Sequence, residues 1–511
     1  MAGDDVVSTA LQGDRVTLEC YGRTRRAEAL AVPVDSLAAL SGALGAAAAA
    51  GTKVTVRAGG NALDGQSITD AVALVLDGGD FKRLTVDTVR ETVTVGAACT
   101  WGEIVEATVA LGWIPCAVPS ASSITAGGSL ASHSISRFSP AYGKEGDHVV
   151  SFRVMLADGY VLDASPDAPD GSRERAAFEA VIGGLGYIGV VVEVTHRIMR
   201  VGEPGDVQLA TWVDMMFEPD FAWPDLLNAL QIDEAAPFAW LDALSDADRA
   251  ALRSDPQQSR ARPTVYASIW WEAITPRRRA ALSRSWYTHG ERPKPLLLYQ
   301  RASATRFMVE FGLMSRFIGR VELDLFDLAT RDRSLYIDPA DDFLFFMDPN
   351  RKLLKWVPSA RVIQQSFVLR SVSSAATFLE AVDALARYPE NDFSPALVDV
   401  LYIPKDARRF ALSATQASGG YEVTLTFLLP DGDKVGAIDN DLSSLSRECH
   451  ALGGVIHLPK HVSAARETVA AMYTKQLEEF HEAKKLLDPD GRFENDFYRQ
   501  WIAPQADGAA E

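Results

Sequence analysis

Four cysteines in 511 residues are too few and too scattered to staple a fold. Cys20, Cys99, Cys116 and Cys449 form no C-x-x-C pair and no metal-ligand spacing, which argues against a disulfide scaffold and a metal centre and suits a reducing compartment. Positive charge is also short. The 50 Lys and Arg stand against 68 Asp and Glu, and a net charge of −18 repels phosphate backbones and anionic lipid headgroups. Nucleic acid is therefore not an expected partner. No apolar run reaches the roughly 18 residues that a spanning helix needs, and the acidic start MAGDDVVSTALQGDR does not resemble a signal peptide. The expectation is a cytoplasmic chain with no integral membrane segment. Internal repeats are absent as well.

What is present is the composition of an ordinary globular protein, 47% hydrophobic and 23% charged, long enough for two domains sharing a cleft. From Ala31 to about Arg200, helical stretches alternate with β-branched runs at Lys53–Arg57, Ala73–Leu76, Thr92–Gly96 and Val149–Leu156. The alanine-rich Ala38–Ala50 favours a helix over a linker. Val201-Gly202-Glu203-Pro204-Gly205 reads as a domain boundary. Beyond it the sequence turns Trp-, Phe- and Arg-rich to about Asp431-Gly432-Asp433. Arg361–Leu369, Ala396–Tyr402 and Tyr421–Leu429 read there as strands, and Ser373–Arg387 and Asp439–Leu452 as helices. Glu467–Leu487 reads as one helix ending at Asp488-Pro489-Asp490-Gly491.

Three glycine clusters carry chemistry. Arg57-Ala58-Gly59-Gly60-Asn61 follows a strand, so two glycines able to take positive φ expose backbone N–H groups in a shape that cradles a diphosphate. An ordinary tight turn has the same composition. Val118 to Ser129 is rich in hydroxyls and small residues throughout, and such a loop can press its backbone against a flat cofactor. Gly183-Gly184-Leu185-Gly186-Tyr187-Ile188-Gly189 contains a literal G-x-G-x-x-G, yet the helix-like Ser172–Val181 precedes it and the strand-like Val190–Arg197 follows. A dinucleotide fingerprint requires the reverse order, which argues against NAD at this motif.

In order and spacing these clusters resemble the FAD-binding domain of the vanillyl-alcohol-oxidase superfamily, also called PCMH-type, nearest to its decaprenylphosphoryl-ribose oxidases and sugar or alditol oxidases. The resemblance is carried by RAGGNALDG (Arg57–Gly65), GWIPCAVPSASSITAGGSLASHS (Gly112–Ser134), HVVSFRVMLADGYVL (His148–Leu162), FEAVIGGLGYIGVVVEVTHRI (Phe178–Ile198), GGVIHLPK (Gly453–Lys460), ETVAAMY and DPDGRFENDF. It covers about the first 200 and last 60 residues. It implies an α+β fold with a split, two-subdomain FAD domain at 15–202, a central substrate or cap domain with an antiparallel sheet at 203–452, and a segment at 453–505 returning to the FAD domain. Arg57, Ala58, Gly59, Gly60, Asn61 and Ala62 would bind the diphosphate. Pro119, Ser120, Ser122, Ser123, Thr125, Gly127, Gly128, Ala131 and Ser132 would run along diphosphate and flavin, with Gly189 and Val190 near the adenine. Lys460 matches a lysine that reaches flavin and substrate, where an ammonium stabilises negative charge.

The departures are equally informative. Many relatives carry a histidine that bonds covalently to the flavin where this chain has Asn61, and Cys116 precedes the Pro119 loop where a second covalent residue would follow it, so noncovalent FAD is expected. Ile135-Ser136 stand where the sugar oxidases have His-Gly, which makes His133, two residues earlier on the same face of an extended segment, the candidate replacement. Thr424 stands where the ribose oxidases have cysteine. Gln364 matches a strand glutamine above the flavin, although a polar strand face would look the same. His457 is a candidate base for an alcohol proton. Together these residues imply alcohol oxidation of a sugar- or polyol-like substrate, with oxygen or a carrier as electron acceptor. The alternatives are a C=C reductase or desaturase of a sterol-like substrate, an oxidative step in secondary metabolism, and a binding protein that has lost the chemistry. The apolar alternative draws on Trp212, Trp223, Trp240, Trp270, Trp271 and Trp286, which buried structural packing explains equally well.

Overall fold

A computed structural model describes residues 11–214, 221–251, 256–271, 277–290, 335–348, 354, 359–387, 393–429 and 434–504. The Asp431-Gly432-Asp433 break and residue 505 lie outside them. The described residues form a mixture of helices with three sheets. In the first, β1 (Asp14–Glu19), β2 (Arg26–Val34), β3 (Val54–Arg57) and β4 (Val72–Leu76) are ordered β1-β2-β4-β3. β4 runs parallel to both β2 and β3. Helix α1 (Leu37–Ala49) links β2 to β3, starts where the Ser36 hydroxyl accepts the Ala39 N–H, and buries Leu40, Ala43, Leu44 and Ala47 at helical spacing. Parallel neighbours cannot be joined by a tight turn. The chain must therefore loop out of the carboxyl end of β3 through residues 58–71, and this detour carries the first glycine cluster.

The second sheet joins β5 (Leu84–Asp87), β6 (Thr92–Gly96), β7 (Trp113–Pro115), β8 (Val149–Met155), β9 (Val161–Ala164) and β10 (Val190–Arg200). β10 pairs antiparallel with β6, β7 and β8 and is the spine of this sheet. Helices α2 (Trp101–Val109), α3 (Ala126–Ser132) and α4 (Arg173–Val181) accompany it. Because α4 precedes the third glycine cluster and β10 follows it, the helix-then-strand order read from the sequence holds.

The third sheet is eight-stranded among the described residues, in the order β14-β11-β13-β12-β16-β17-β15-β18. Its members are β11 (Gln208–Asp214), β12 (Thr264–Trp271), β13 (Arg278–Thr288), β14 (Leu335–Pro339), β15 (Arg361–Leu369), β16 (Leu397–Ile403), β17 (Gly420–Leu429) and β18 (Val455–Ile456). Each adjacent pair is antiparallel. Helices α5 (Val372–Ala386) and α6 (Val435–Ala451) cover one face. Phe367 of β15 meets Phe378 of α5 with centroids 4.8 Å apart, and Gln365 donates to Ser446 of α6. Side chains alternate along a strand, so Gln364 and Ser366 point the other way, beside Thr426 and Thr424 of β17. Asp399 of β16 lies opposite Thr424 and bonds Ser268 of β12.

The tryptophans serve packing. Trp271 donates to Asp383, Trp223 lies 4.3 Å under the Arg278 guanidinium, and Trp240 packs against Trp286. One reading is corrected: Glu467–Leu487 is two helices, α7 (Arg466–Met472) and α8 (Thr474–Leu487), because Tyr473 leaves helical geometry at φ −119° and ψ 18° as its hydroxyl donates to the Ile456 carbonyl. After α8 the chain runs beside β3, where the Val54 N–H donates to the Arg492 carbonyl and Asn495 donates to the carbonyls of Gly65, Gln66 and Ile68. The last helix among the described residues is α9 (Asp496–Trp501). No helix among the described residues is long and apolar enough to cross a membrane.

Candidate active site

The loops leaving β3, the Pro119 loop with α3, the third glycine cluster and the turn after β18 converge on one cavity. Of the residues expected to hold a cofactor, Ala58, Gly59, Gly60, Asn61, Ala62, Pro119, Ser120, Thr125, Gly127, Gly128, Ala131, Ser132, Gly189 and Lys460 line it, and so does His457. Glycine is required here sterically. A Cβ on Gly59 would lie 2.7 Å from the Ser123 carbonyl, and Gly60 has φ +65° with the Arg57 guanidinium 2.9 Å from its own would-be Cβ. A Cβ on Gly127 would lie 2.9 Å from that of Ala97. Small walls let the backbone come close to a ligand.

Four expected cofactor residues stand behind this wall. The Arg57 side chain turns back to the carbonyls of Glu19 and Ser67, bracing the loop. Ser122 is held by Asp348, which accepts its N–H at 2.9 Å and its hydroxyl at 2.6 Å. Ser123 exchanges hydrogen bonds with Asn61, accepting Nδ2–H at its carbonyl (2.7 Å) and donating its hydroxyl to Oδ1 (3.1 Å). This reciprocal pair locks the two glycine loops together. Val190 is buried opposite Met155, and Val191 reaches the cavity in its place.

Lys460 is the cation of the cavity wall. Its Nζ donates to Gln364 Oε1 at 2.7 Å, while Gln364 Nε2 donates to Thr426 at 3.0 Å. Both ends of the Gln364 amide are thus spent inside the protein. Gln364 does not line the cavity; its Oε1 holds the Lys460 ammonium. The main chain is fixed too: His457 N–H donates to Ser366 and His461 N–H to Gln364, extending the β15 ladder. From the other side Gln66 Nε2 donates to the carbonyls of Leu458 (3.0 Å) and Lys460 (2.8 Å). Burial lowers the Lys460 pKa, opposed by Glu422 and Asp399. Burial raises both carboxyls, opposed by Lys460 in each case. For His457, burial aided by Lys144 and Lys460 pushes the pKa well below the ordinary imidazole value, so its ring is neutral at pH 7.

His133 does not join this group. It caps α3 in a left-handed conformation (φ +46°), which turns its ring away from the cavity and under Phe410. There Nδ1 accepts the Gly146 N–H at 3.1 Å and Nε2 lies 3.3 Å from Asp406, within a buried set that includes Lys144. The two-residue shift on an extended segment that was to bring it to the flavin fails because His133 is the left-handed cap that ends α3 and not part of an extended run.

Sequence reasoning missed Gln66, Glu422 and Asp399. The strand Gly420–Leu429 held the signal for Glu422, since Glu422, Thr424 and Thr426 alternate with apolar residues. Gln66 had no local signature.

A flavin dinucleotide fits what is present. The cavity wall is made of glycines, hydroxyls and aliphatic residues, and its titratable members are Lys460 and His457, with no carboxylate among the described lining residues to repel a diphosphate. Among groups of described residues, none has the make-up of a metal centre.

Comparison with known proteins agrees. Residues 29–165 match the family described as FAD binding domain. Over 502 residues, 94% of this chain and 96% of the relative, the sequence is 23% identical to decaprenylphosphoryl-beta-D-ribose oxidase of Mycolicibacterium smegmatis. It is 31% identical over 203 residues to an uncharacterized oxidoreductase of Rhodococcoides fascians, covering 39% of this chain and 43% of that one. It is 30% identical over 202 residues to cytokinin dehydrogenase 2 of Oryza sativa subsp. japonica, covering 38% of this chain and 34% of the plant protein.

Proposed function

With the chain established as an FAD-dependent oxidoreductase carrying an FAD binding domain, we propose that it oxidises a sugar- or polyol-like alcohol with noncovalently held FAD. The observation that carries this reading is the polar strip beside Lys460. Gln364, Ser366, Glu422, Thr424, Thr426 and Asp399 occupy one face of neighbouring strands, and most are bonded to each other, to Lys460 or to Ser268. Glu422 Oε1 has no hydrogen-bond partner among the described residues and is the group left to meet a substrate hydroxyl; a sterol-like skeleton would leave it unpaired. We further propose a split FAD domain formed by residues 15–202 and 453–505, a cap at 203–452, and a cytoplasmic location.

FAD supplies the acceptor for the hydride leaving the alcohol carbon. In this reading Gly59, Gly60, Gly127 and Gly128 admit the diphosphate to the backbone, and the Asn61–Ser123 pair holds the loop that carries them. Lys460, aimed by Gln364, binds the substrate oxygen or the negative charge that develops beside it. His457, kept neutral by burial, is the acceptor for the hydroxyl proton. The side chain at position 61 is an amide that forms no bond to a flavin.

The test is an absorption spectrum of the purified protein and of the supernatant after acid precipitation. Flavin bands moving wholly into the supernatant are expected, followed by anaerobic bleaching with polyols or sugars. Colour in the pellet refutes noncovalent binding. Bleaching by sterol-like alcohols alone refutes the substrate class.

A further inference from the structure

Behind the cofactor wall lies a buried acid that the reaction does not use. Glu145 is 1% exposed, its Oε2 has no hydrogen-bond partner, and Oε1 lies 2.8 Å from the hydroxyl of Ser129 in α3. The same hydroxyl accepts the Trp101 indole N–H at 2.8 Å and lies 3.0 Å from the Ala126 carbonyl. His196 of β10 completes the group, with Nε2 unpartnered and 3.7 Å from Glu145 Oε1.

A hydroxyl has one hydrogen and two lone pairs. The indole is a donor only and takes one lone pair. The hydrogen has two acceptors in reach, the Ala126 carbonyl at 3.0 Å and Glu145 Oε1 at 2.8 Å. A carboxylate at Glu145 would draw it away from Ala126, whereas a carboxylic acid donates to the second lone pair and leaves the hydrogen to Ala126. Among the described residues no cation offers an ionised Glu145 a partner, and the groups that favour ionisation are the Ser129 hydroxyl and the Ser134 backbone. Of the charged groups around it, Lys144 on the same turn is spent on Asp406 and Ser413, Asp147 receives the Ala407 N–H, and His148 bonds the Tyr142 carbonyl. His133, from the cap of α3, faces Asp406. His196 is neutral, its pKa lowered by burial to about 3. Burial likewise raises the Glu145 carboxyl to about 8.

We propose that Glu145 is a positioning residue for the cofactor, which as a neutral acid donates to Ser129 and thereby fixes the α3 wall that carries Gly127, Gly128, Ala131 and Ser132. The inference rests on the assignment of this cavity to FAD. Loss of the proton forces the Ser129 hydrogen away from Ala126 and leaves a bare charge under α3, so FAD affinity falls in mildly alkaline solution. If only the neutral form holds FAD, the apparent dissociation constant rises about tenfold between pH 7 and pH 9.

The experiment measures FAD affinity by fluorescence during release and reconstitution of the full chain from pH 6.5 to 9. Circular dichroism at each pH confirms the fold. Wild type should weaken about tenfold. Glu145→Gln, neutral throughout and still a donor, should bind FAD with a flat profile over the same range. Flavin ionisation is common to both proteins and cancels. Should Glu145→Gln fail to fold, Ser129→Ala serves: it should weaken FAD at pH 7 and lose the alkaline dependence. A flat wild-type profile, or a variant that follows wild type, overturns the proposal. Gly59→Ala separates the two readings, because retention of FAD by that variant refutes the cavity assignment itself.

Discussion

Asp406 is the residue whose removal should damage the fold most clearly. It is buried, and Oδ1 lies 3.3 Å from both His133 Nε2 and Lys144 Nζ while accepting the Thr415 hydroxyl at 2.8 Å. Ser413 donates to Oδ2. The network ties the segment after α3 to the connection between β16 and β17. Asp406→Ala leaves the Lys144 ammonium buried with one hydroxyl for company and His133 without an acceptor, and breaking such a pair costs about 3–5 kcal/mol. Asp406→Asn retains an acceptor oxygen and should cost less, about 1–3 kcal/mol. Lys144 and His133 hold the Asp406 carboxyl far below the ordinary range despite its burial. A depressed folded pKa gives stability that is present above the unfolded value, near 3.9, and lost as pH falls. The acid-limb slope should therefore shrink in Asp406→Asn. The assay is urea unfolding of the holoenzyme at fixed FAD. A loss under about 1 kcal/mol in Asp406→Ala would refute the argument, as would a Lys144→Met, Asp406→Leu double variant that is no more stable than Asp406→Ala, since a buried pair replaced by apolar residues should regain most of the loss.

Buried neutral histidines add a second acid sensitivity. Burial lowers the His133 pKa to about 4 and His196 to about 3. Unfolded, each takes a proton near pH 6.5, so this stability is present above 6.5 and lost as pH falls, by up to about 2 kcal/mol per histidine at pH 5. Glu145, raised to about 8, and Asp147 and Asp338, each raised to about 6, act in the opposite sense, so the histidine part is read from a variant. The stability change from pH 7 to pH 5 in His196→Asn should be about 2 kcal/mol more favourable than in wild type, and an identical change would contradict the argument. Gly59→Ala should give a folded, colourless protein, because its methyl has backbone on one side and Asn61 on the other; a normal ratio of 450 to 280 nm absorbance would exclude the cradle. Lys460→Met should retain FAD but lose about 10²–10³ in the rate of flavin reduction by substrate. Unchanged rapid-mixing kinetics would remove Lys460 from the site.

Local pattern and tertiary pairing divided what could be read in advance. Strands such as Arg361–Leu369 and helices such as Leu37–Ala49 were legible because alternation and helical spacing are properties of a short window. The α7–α8 break was not, because its cause is the Tyr473 hydroxyl meeting the Ile456 carbonyl from another element. The glycine clusters were legible one at a time, since positive φ and close approach are local demands. Their convergence depends on the parallel arrangement of β3 and β4, which no window contains.

The polar strip shows where this limit falls. Alternation within β17 puts Glu422, Thr424 and Thr426 on one face, and alternation within β15 does the same for Gln364 and Ser366. Which face looks toward Lys460, and that Asp399 joins it, follows only from the register Gln364↔Thr426 and Asp399↔Thr424. A slip of one residue would send every one of these groups to the helix-covered side. Gln365 already has its place there, with its amide bonded to Ser446 and Ser463 of the covering layer. The register is thus held by the apolar and amide contacts on the back of the sheet, and the chemistry proposed for the front depends on packing that touches neither substrate nor cofactor.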